Sequence, residues 1–113
     1  MVVFPPADFA ARLTRCRDRA LLSLSGELDC SSAELANIEL EMVGDVHELT
    51  IDLRDVTFMD STGVYFLLRA QRSYPNLRVV RGRDAIHRVL RLVDVERELE
   101  FVDEPDPALI RAA

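Results

Sequence analysis

Hydrophobic and polar residues alternate over much of the chain in the pattern that β-strands require. Residues 8–15 and 20–25 show this two-residue period, and the charged residues between them predict a turn. We therefore expect an opening antiparallel hairpin that ends at Gly26. Residues 48–53 give the clearest strand, since leucine and isoleucine alternate there with polar side chains. A nearly all-apolar strand is predicted at 77–80, and a short last strand at 99–102.

Apolar residues three and four positions apart predict helices between these strands. Ser31 and Glu34 have the spacing of a capping box, which predicts a helix starting at Ser31 with Leu35, Ile38 and Met42 on its apolar face. The second helix is predicted to begin at Ser61 and the third after a cap at Asp84. A weak terminal helix is predicted over Asp106 to Ala113.

The order of these elements predicts the class of fold. Helices alternate with strands after the hairpin, so we expect an α/β domain with parallel crossovers. Its sheet would be mixed, with four to five strands, and three to four helices would pack mainly on one face. The 113 residues suffice for one domain, which we assign to 1–113 with a folded unit of about 8–104 and loosely attached termini.

Charge and hydropathy exclude several kinds of partner. The 14 basic residues, all arginine, face 20 acidic ones, for a net charge of −6. Because a phosphate backbone attracts a basic surface, nucleic acid is not expected as a partner. The sequence lacks both a run of about 18 apolar residues and a signal-like start, so we expect a cytoplasmic protein without a membrane partner.

The metal-binding and thiol residues form no recognisable constellation. Cys16 and Cys30 are far from any Cys-x-x-Cys spacing, and His47 and His87 are isolated. We therefore predict no metal, no cofactor and reduced cysteines.

The segment with the most chemical content is Asp60-Ser61-Thr62-Gly63. Asp60 or Ser61 can cap the second helix, whose first N–H groups lack partners within the helix and favour an anion. Gly63 costs up to about 1 kcal/mol of helix propensity relative to alanine. Two interpretations stay open: Gly63 keeps the approach to Ser61 clear for function, or Ser61 is only a cap and Gly63 only permits close packing.

Three motifs resemble those of the anti-sigma factor antagonists, the bacterial STAS domains. Residues 57–63, Thr-Phe-Met-Asp-Ser-Thr-Gly, are similar to the family signature, and Gly26-Glu27-Leu28-Asp29 is similar to its second marker. Residues 84–90 resemble the family's third helix. The likeness covers roughly residues 8–104.

The resemblance implies a switch in a protein–protein interaction. Family members bind an anti-sigma factor of the serine/threonine kinase type and thereby release sigma. The kinase phosphorylates the antagonist, which ends capture, and a phosphatase of the PP2C type restores it. By position the phosphoacceptor is Ser61, and the free protein would be a monomer or a weak dimer. The implied partner-binding residues are Asp29, Asp60, Ser61, Thr62, Gly63 and Tyr65.

Alternatives to this function remain. A nucleophilic Ser61 would need a base within hydrogen-bond reach. Only two histidines are available: His47 precedes the central strand, at the end away from Ser61, and His87 lies in an arginine-rich helix. We therefore do not expect an enzyme. A second alternative is a STAS binding module that is not phosphorylated, or a subunit of a lipid-transport or signalling complex.

Two aromatic residues follow the signature: we expect Phe66 in the core and Tyr65 exposed toward a partner.

Overall fold

The computed structural model of the chain describes residues 8–112, with side chains through residue 111. Strands and helices follow one another as the sequence pattern predicts. The strands are β1 (Phe9–Cys16), β2 (Arg19–Leu28), β3 (Glu48–Met59), β4 (Arg78–Val80) and β5 (Phe101–Val102). The helices are α1 (Ala33–Val43), α2 (Ser61–Ser73), α3 (Asp84–Leu92) and α4 (Pro107–Ala112), and a 3-10 turn spans Glu96–Glu98.

The five strands form one sheet in the order β1-β2-β3-β4-β5. Strand β1 pairs antiparallel with β2, and every later neighbour is parallel. Because parallel crossovers are right-handed, connections that always step in the same direction place α1, α2 and α3 side by side on one face. We call these three helices the helical layer. The predicted mixed sheet with an opening hairpin is confirmed.

The main core lies between the sheet and the helical layer. Leu22 and Leu24 of β2 and Ile51 and Leu53 of β3 are buried in it. Phe66 of α2 packs into the same cluster at 1% exposure, which confirms its predicted core position. Burial of this aliphatic surface is the main force that holds the helices on the sheet.

Both central strands run further than the alternation predicts. Gly26 does not end β2, because pairing with β3 continues beyond it. It adopts a positive φ of 87° in an irregular stretch where the β2–β3 register shifts. A Cβ atom at this position would lie 1.5 Å from the carbonyl oxygen of Asp8, so only glycine fits the bulge. Pairing then resumes, and Leu28 aligns with Met59. The strand predicted at 48–53 is therefore only the first half of β3, which continues to Met59.

Helix α1 differs from its prediction at its start and in its face. It begins one residue after Ser32, which makes no side-chain cap bond, so the Ser31–Glu34 capping box is wrong. Of the predicted apolar face, Leu35 packs against the core, but Ile38 and Met42 are exposed, so the face is wrong at those two positions. The residues that pack against the sheet are Ala36, Leu40 and Val43.

Helix α3 also lacks its predicted cap. Asp84 is the first helical residue, and Arg83 before it makes no side-chain cap bond. His87 is buried, and its Nε2 accepts the backbone N–H of Gly82 at 2.9 Å while its Nδ1 lies 3.2 Å from a Glu96 oxygen. This histidine therefore ties α3 to the segments before and after it.

The opposite face of the sheet carries α4. Leu109 is fully buried there, and Arg19 of β2 forms an ion pair with Asp106 just before the helix. The folded unit thus extends beyond residue 104, where the sequence pattern ended it, and its C-terminal part is packed rather than loosely attached. Residues 1–7 and 113, included in the domain and helix predictions, lie outside the described residues.

Candidate functional site

The candidate site lies where the carboxyl ends of β2 and β3 meet. The carbonyl oxygen of Leu28 accepts a hydrogen bond of 3.3 Å from the backbone N–H of Asp60. This bond continues the pairing of Leu28 with Met59 by one step beyond the strands. The loop that begins at Asp29 therefore neighbours the start of α2. Parallel strands bring their carboxyl ends to one edge of a sheet, which is where such folds place ligand-binding loops.

Asp60 caps α2, as the sequence predicts. Its Oδ1 accepts the backbone N–H of Thr62 at 2.9 Å and also the Thr62 hydroxyl. Its carbonyl oxygen accepts the N–H groups of Gly63 and Val64, at 3.1 and 3.2 Å. Three of the first four N–H groups of the helix are thus satisfied by one residue, which fixes the position of the first turn.

Ser61 is the first residue of α2 and is exposed. Within residues 8–112, no side-chain hydrogen bond involves its hydroxyl, and its backbone N–H has no protein acceptor. The positive end of the helix dipole lies at this residue. The site therefore offers a free hydroxyl on a rigid turn, in a position where another protein can reach it and where added negative charge is stabilised.

Gly63 faces inward and is buried. A Cβ atom on it would lie 2.6 Å from Met59 Cγ and 2.9 Å from the carbonyl oxygen of Leu28. Of the two interpretations of this glycine, the structure favours close packing: it lets α2 sit directly on the ends of β2 and β3. Gly63 is therefore not available for contact with a partner. Its effect on the predicted partner-binding residues is to set the position of the start of α2.

Asp29 is held in a tight turn before α1. Its Oδ1 accepts the N–H and the hydroxyl of Ser31 at 2.9 and 2.6 Å, and the N–H of Ser32 at 3.2 Å. The hydroxyl of Ser31 is the largest cause of a lowered pKa for Asp29. These bonds fix the charged Asp29 carboxylate at the start of α1, in the loop that adjoins the start of α2 through the Leu28–Asp60 hydrogen bond.

Ser32 closes this turn, a role that was not predicted from the sequence. This buried hydroxyl accepts the N–H of Asp29 at 2.9 Å and donates to the carbonyl oxygen of Glu27 at 2.6 Å. It closes the loop around Asp29 and so positions the carboxylate. Asp29 at the strand end, with serines two and three residues later, is typical of such a turn, and this signal was present in the sequence.

Tyr65 is exposed, as predicted, with 67% of its surface accessible. It borders a shallow depression between α1 and α2. Arg69 spans the two helices there, with guanidinium nitrogens 3.4 Å from Asn37 Oδ1 and from Glu41 Oε1. The lining residues are Ala33, Asn37, Thr62, Tyr65, Phe66 and Arg69. The depression places an aromatic side chain one helical turn from Ser61.

The histidines are poorly placed to activate Ser61. His47 precedes β3, whereas Ser61 follows its other end. His87 is buried, and both of its ring nitrogens face partners within its own part of the fold. In residues 8–112, no group of three potential metal ligands comes together, both cysteines are free, and no helix has the length and hydropathy to cross a membrane.

Comparison with known proteins identifies the family. The family model described as Mlab, STAS domain, matches residues 11–103, most of the chain. The chain therefore belongs to the STAS domain family. No curated protein is a significant match.

Solved structures confirm the fold at low sequence identity. An anti-sigma factor antagonist from Mycobacterium paratuberculosis superposes with a TM-score of 0.80 at 22% identity, covering 96% of this chain and 98% of that one. The anti-sigma factor antagonist SpoIIAA in its unphosphorylated form gives 0.65 at 20%, with 90% and 96% covered. The Bacillus cell fate determinant SpoIIAA in its phosphorylated form gives 0.64 at 19%, with 92% and 100% covered.

Proposed function

We propose that this STAS domain is an anti-sigma factor antagonist that binds an anti-sigma factor of the serine/threonine kinase type. Capture of that factor releases sigma, and phosphorylation of Ser61 ends capture. On this proposal the protein works by binding and carries out no catalysis itself. The proposed docking surface consists of the exposed residues around the start of α2, with Tyr65 as its apolar anchor.

The observation that carries this proposal is the free, exposed hydroxyl of Ser61 on a turn fixed by the Asp60 cap. A kinase needs a serine oxygen that it can reach and that is not already engaged. The two SpoIIAA structures support the idea, since they are an unphosphorylated and a phosphorylated form of one antagonist with this fold.

The electrostatics of the site explain how a phosphate would act. Transfer of the γ-phosphoryl group from ATP to Ser61 Oγ releases ADP and a proton and adds a charge of about −1.5 to −2. The helix dipole stabilises this charge in the free protein. In the complex the same charge follows Asp60 directly in the chain and shares this edge of the sheet with the Asp29 loop, and any acidic group of the partner would face it. The phosphate therefore favours the free state over the complex.

A phosphorylation assay tests the proposal. The protein is incubated with ATP and an anti-sigma kinase captured from the native cell, and the Ser61 peptide is analysed by mass spectrometry. We expect one phosphate, on Ser61. The Ser61→Ala variant should take up none, whereas Ser73→Ala, an exposed serine at the other end of α2, should behave as wild type.

A STAS module that works without phosphorylation predicts a different pattern. In that case the protein would capture a partner from the cell, but the Ser61 peptide would stay unmodified with ATP present. Capture of a transport or signalling assembly with no anti-sigma kinase in it would likewise contradict the proposed function.

A further inference from the structure

His87 is a buried histidine that takes no part in the site around Ser61. It lies on α3 and is 4% exposed. Its ring meets the ring of Phe101 edge-to-face, with 4.9 Å between the two centres. Buried polar groups need hydrogen-bond partners, and both ring nitrogens of His87 have one within the protein. These two partners decide which protonation state of the ring fits the fold.

The partners of the ring require its neutral form. A backbone N–H can only donate, so the Nε2 atom that the Gly82 N–H approaches at 2.9 Å carries a lone pair and no proton. The neutral ring then has its proton on Nδ1, which donates to the Glu96 carboxylate 3.2 Å away. The two bonds together therefore select the neutral imidazole in one tautomer.

A second proton on the ring would break one of these bonds and keep the other. An imidazolium carries an N–H group on each nitrogen, so Nδ1 still donates to Glu96. At Nε2, however, the ring N–H and the backbone N–H of Gly82 would face each other as two donors. Protonation of His87 therefore acts on the turn between β4 and α3, where Gly82 lies.

The Gly82 turn is the part that can move in response. Toward the sheet it has no room, because a Cβ atom on Gly82 would lie 2.8 Å from the carbonyl oxygen of Leu53. The ring of His87 is enclosed by the core and by Phe101. Gly82 itself is partly exposed, so the turn can move outward, away from β3.

The charges around His87 leave this conflict between donors in place. Within residues 8–112, Glu96 is the one charged group in hydrogen-bonding range of the ring, and the same oxygen lies 3.4 Å from the Arg91 guanidinium. Arg81 lies over the Phe101 ring, 5.3 Å from its centre. Glu96 favours the imidazolium form, but it lies at Nδ1 and cannot replace the bond at Nε2. The other charged residues of these segments are exposed: Arg83, Asp84, Arg88, Arg97, Glu98 and Asp103.

We propose that His87 is an acid-sensitive latch on the start of α3: the neutral ring holds the Gly82 turn closed, and the protonated ring releases it. Histidine side chains generally gain their charge between about pH 8 and about pH 5, so mild acid is the trigger. The release is local, because Ile86 and Leu90 keep α3 packed on the core. This conformational change does not depend on the proposed function of Ser61.

NMR of the isotope-labelled wild type tests both halves of the latch. At about pH 8 the ring nitrogen shifts should report a proton on Nδ1 and none on Nε2. As the pH is lowered to about 5, the ring should become an imidazolium, and the hydrogen-exchange protection of the Gly82 N–H should fall about tenfold with the same midpoint. Protection is corrected for the intrinsic effect of pH on exchange. The N–H of Val79, which donates to the carbonyl oxygen of Glu100, should keep its protection and so separates local release from global unfolding.

Two variants complete the test. His87→Gln keeps an uncharged acceptor for the Gly82 N–H, so its protection there should not change over the same pH range. His47→Gln is the matched control, because it removes the other histidine, which is exposed before β3, and it should behave as wild type. Because the wild-type readouts stand alone, they test the latch even if His87→Gln fails to fold.

Three wild-type results would overturn the proposal. One is a ring with its proton on Nε2 at about pH 8, and another is a ring that stays neutral down to about pH 5. The third is an imidazolium that forms while the Gly82 N–H keeps its protection. A folded His87→Gln variant that loses Gly82 protection in acid as the wild type does would also overturn it.

Discussion

Gly63 and Leu28 approach each other so closely that a Cβ atom on the glycine would lie 2.9 Å from the leucine carbonyl oxygen. The same oxygen accepts the N–H of Asp60, so one peptide group at the end of β2 holds the start of α2 by contact and by hydrogen bond. The position of Ser61 is therefore set by backbone packing beneath it, and the site is formed without a partner.

Replacement of this glycine should destabilise the protein. In Gly63→Ala the new methyl group meets Met59 Cγ at 2.6 Å and the Leu28 oxygen at 2.9 Å. Overpacking of this kind costs about 1–3 kcal/mol, and the gain in helix propensity of up to about 1 kcal/mol offsets only part of it. Urea unfolding should show a lower free energy of unfolding, with Ser73→Ala as the control on the same helix. Equal or higher stability of Gly63→Ala would show that α2 can lift off the strand ends.

The cap of α2 gives a second prediction. Asp60→Ala removes the acceptor for the Thr62 N–H and should lower the free energy of unfolding by about 1 kcal/mol. Asp60→Asn keeps a side-chain oxygen at that position and should retain most of the stability. Comparison of the two variants by urea unfolding separates the hydrogen bond from the charge. If asparagine were as damaging as alanine, the charge rather than the cap bond would be the stabilising feature.

Acid should weaken the turn before α1. The pKa of Asp29 lies below its ordinary value of 3.8, chiefly because the Ser31 hydroxyl donates to the carboxylate. A lowered folded-state pKa means that the ionised form stabilises the fold. That contribution is complete above the unfolded-state pKa and is lost as the pH falls through the folded-state pKa. Melting temperatures measured as the pH falls from above 3.8 to well below it should therefore drop more steeply for wild type than for Asp29→Asn.

The Ser31→Ala variant is the control for this effect. It removes the hydroxyl donor and should raise the pKa of Asp29 toward 3.8 in an NMR titration of the carboxyl group. An unchanged pKa in this variant would assign the shift to the backbone N–H groups of the turn instead.

The packing of α4 is tested by two neighbouring residues. Leu109 is fully buried against the face of the sheet opposite the helical layer, whereas Ile110 is half exposed. Leu109→Ala should lower the free energy of unfolding by about 2–5 kcal/mol. Ile110→Ala removes a similar side chain and should cost much less. Equal effects in denaturant unfolding would mean that α4 does not dock as the structure has it.

The sequence predicts the architecture well because alternation and helical spacing both report burial directly. The hairpin, the strand–helix alternation and the cap at Asp60 all follow from such local patterns. Helix α1 shows where this fails: residues 36, 40 and 43 form one apolar stripe and residues 35, 38 and 42 form another. Spacing alone does not tell which stripe faces the sheet, and of the predicted stripe only Leu35 packs against the core.

Features that depend on distant contacts were not predictable in the same way. Strand β2 passes Gly26 because its backbone pairs with β3, a partner that no local pattern identifies. Two interpretations of Gly63 were open in the sequence, and only the position of Leu28 and Met59 decides between them. The signature around Ser61 was recognisable because its residues are contiguous.

The most direct measurement is the affinity of the captured anti-sigma kinase for this protein before and after phosphorylation, determined by calorimetry. We predict tight binding of the unmodified protein and a loss of about 4 kcal/mol, roughly a thousandfold, once Ser61 carries a phosphate. Ser61→Asp should lose part of the affinity and Ser61→Ala should keep it. Equal affinity of the phosphorylated and unmodified forms would contradict the switch proposed here.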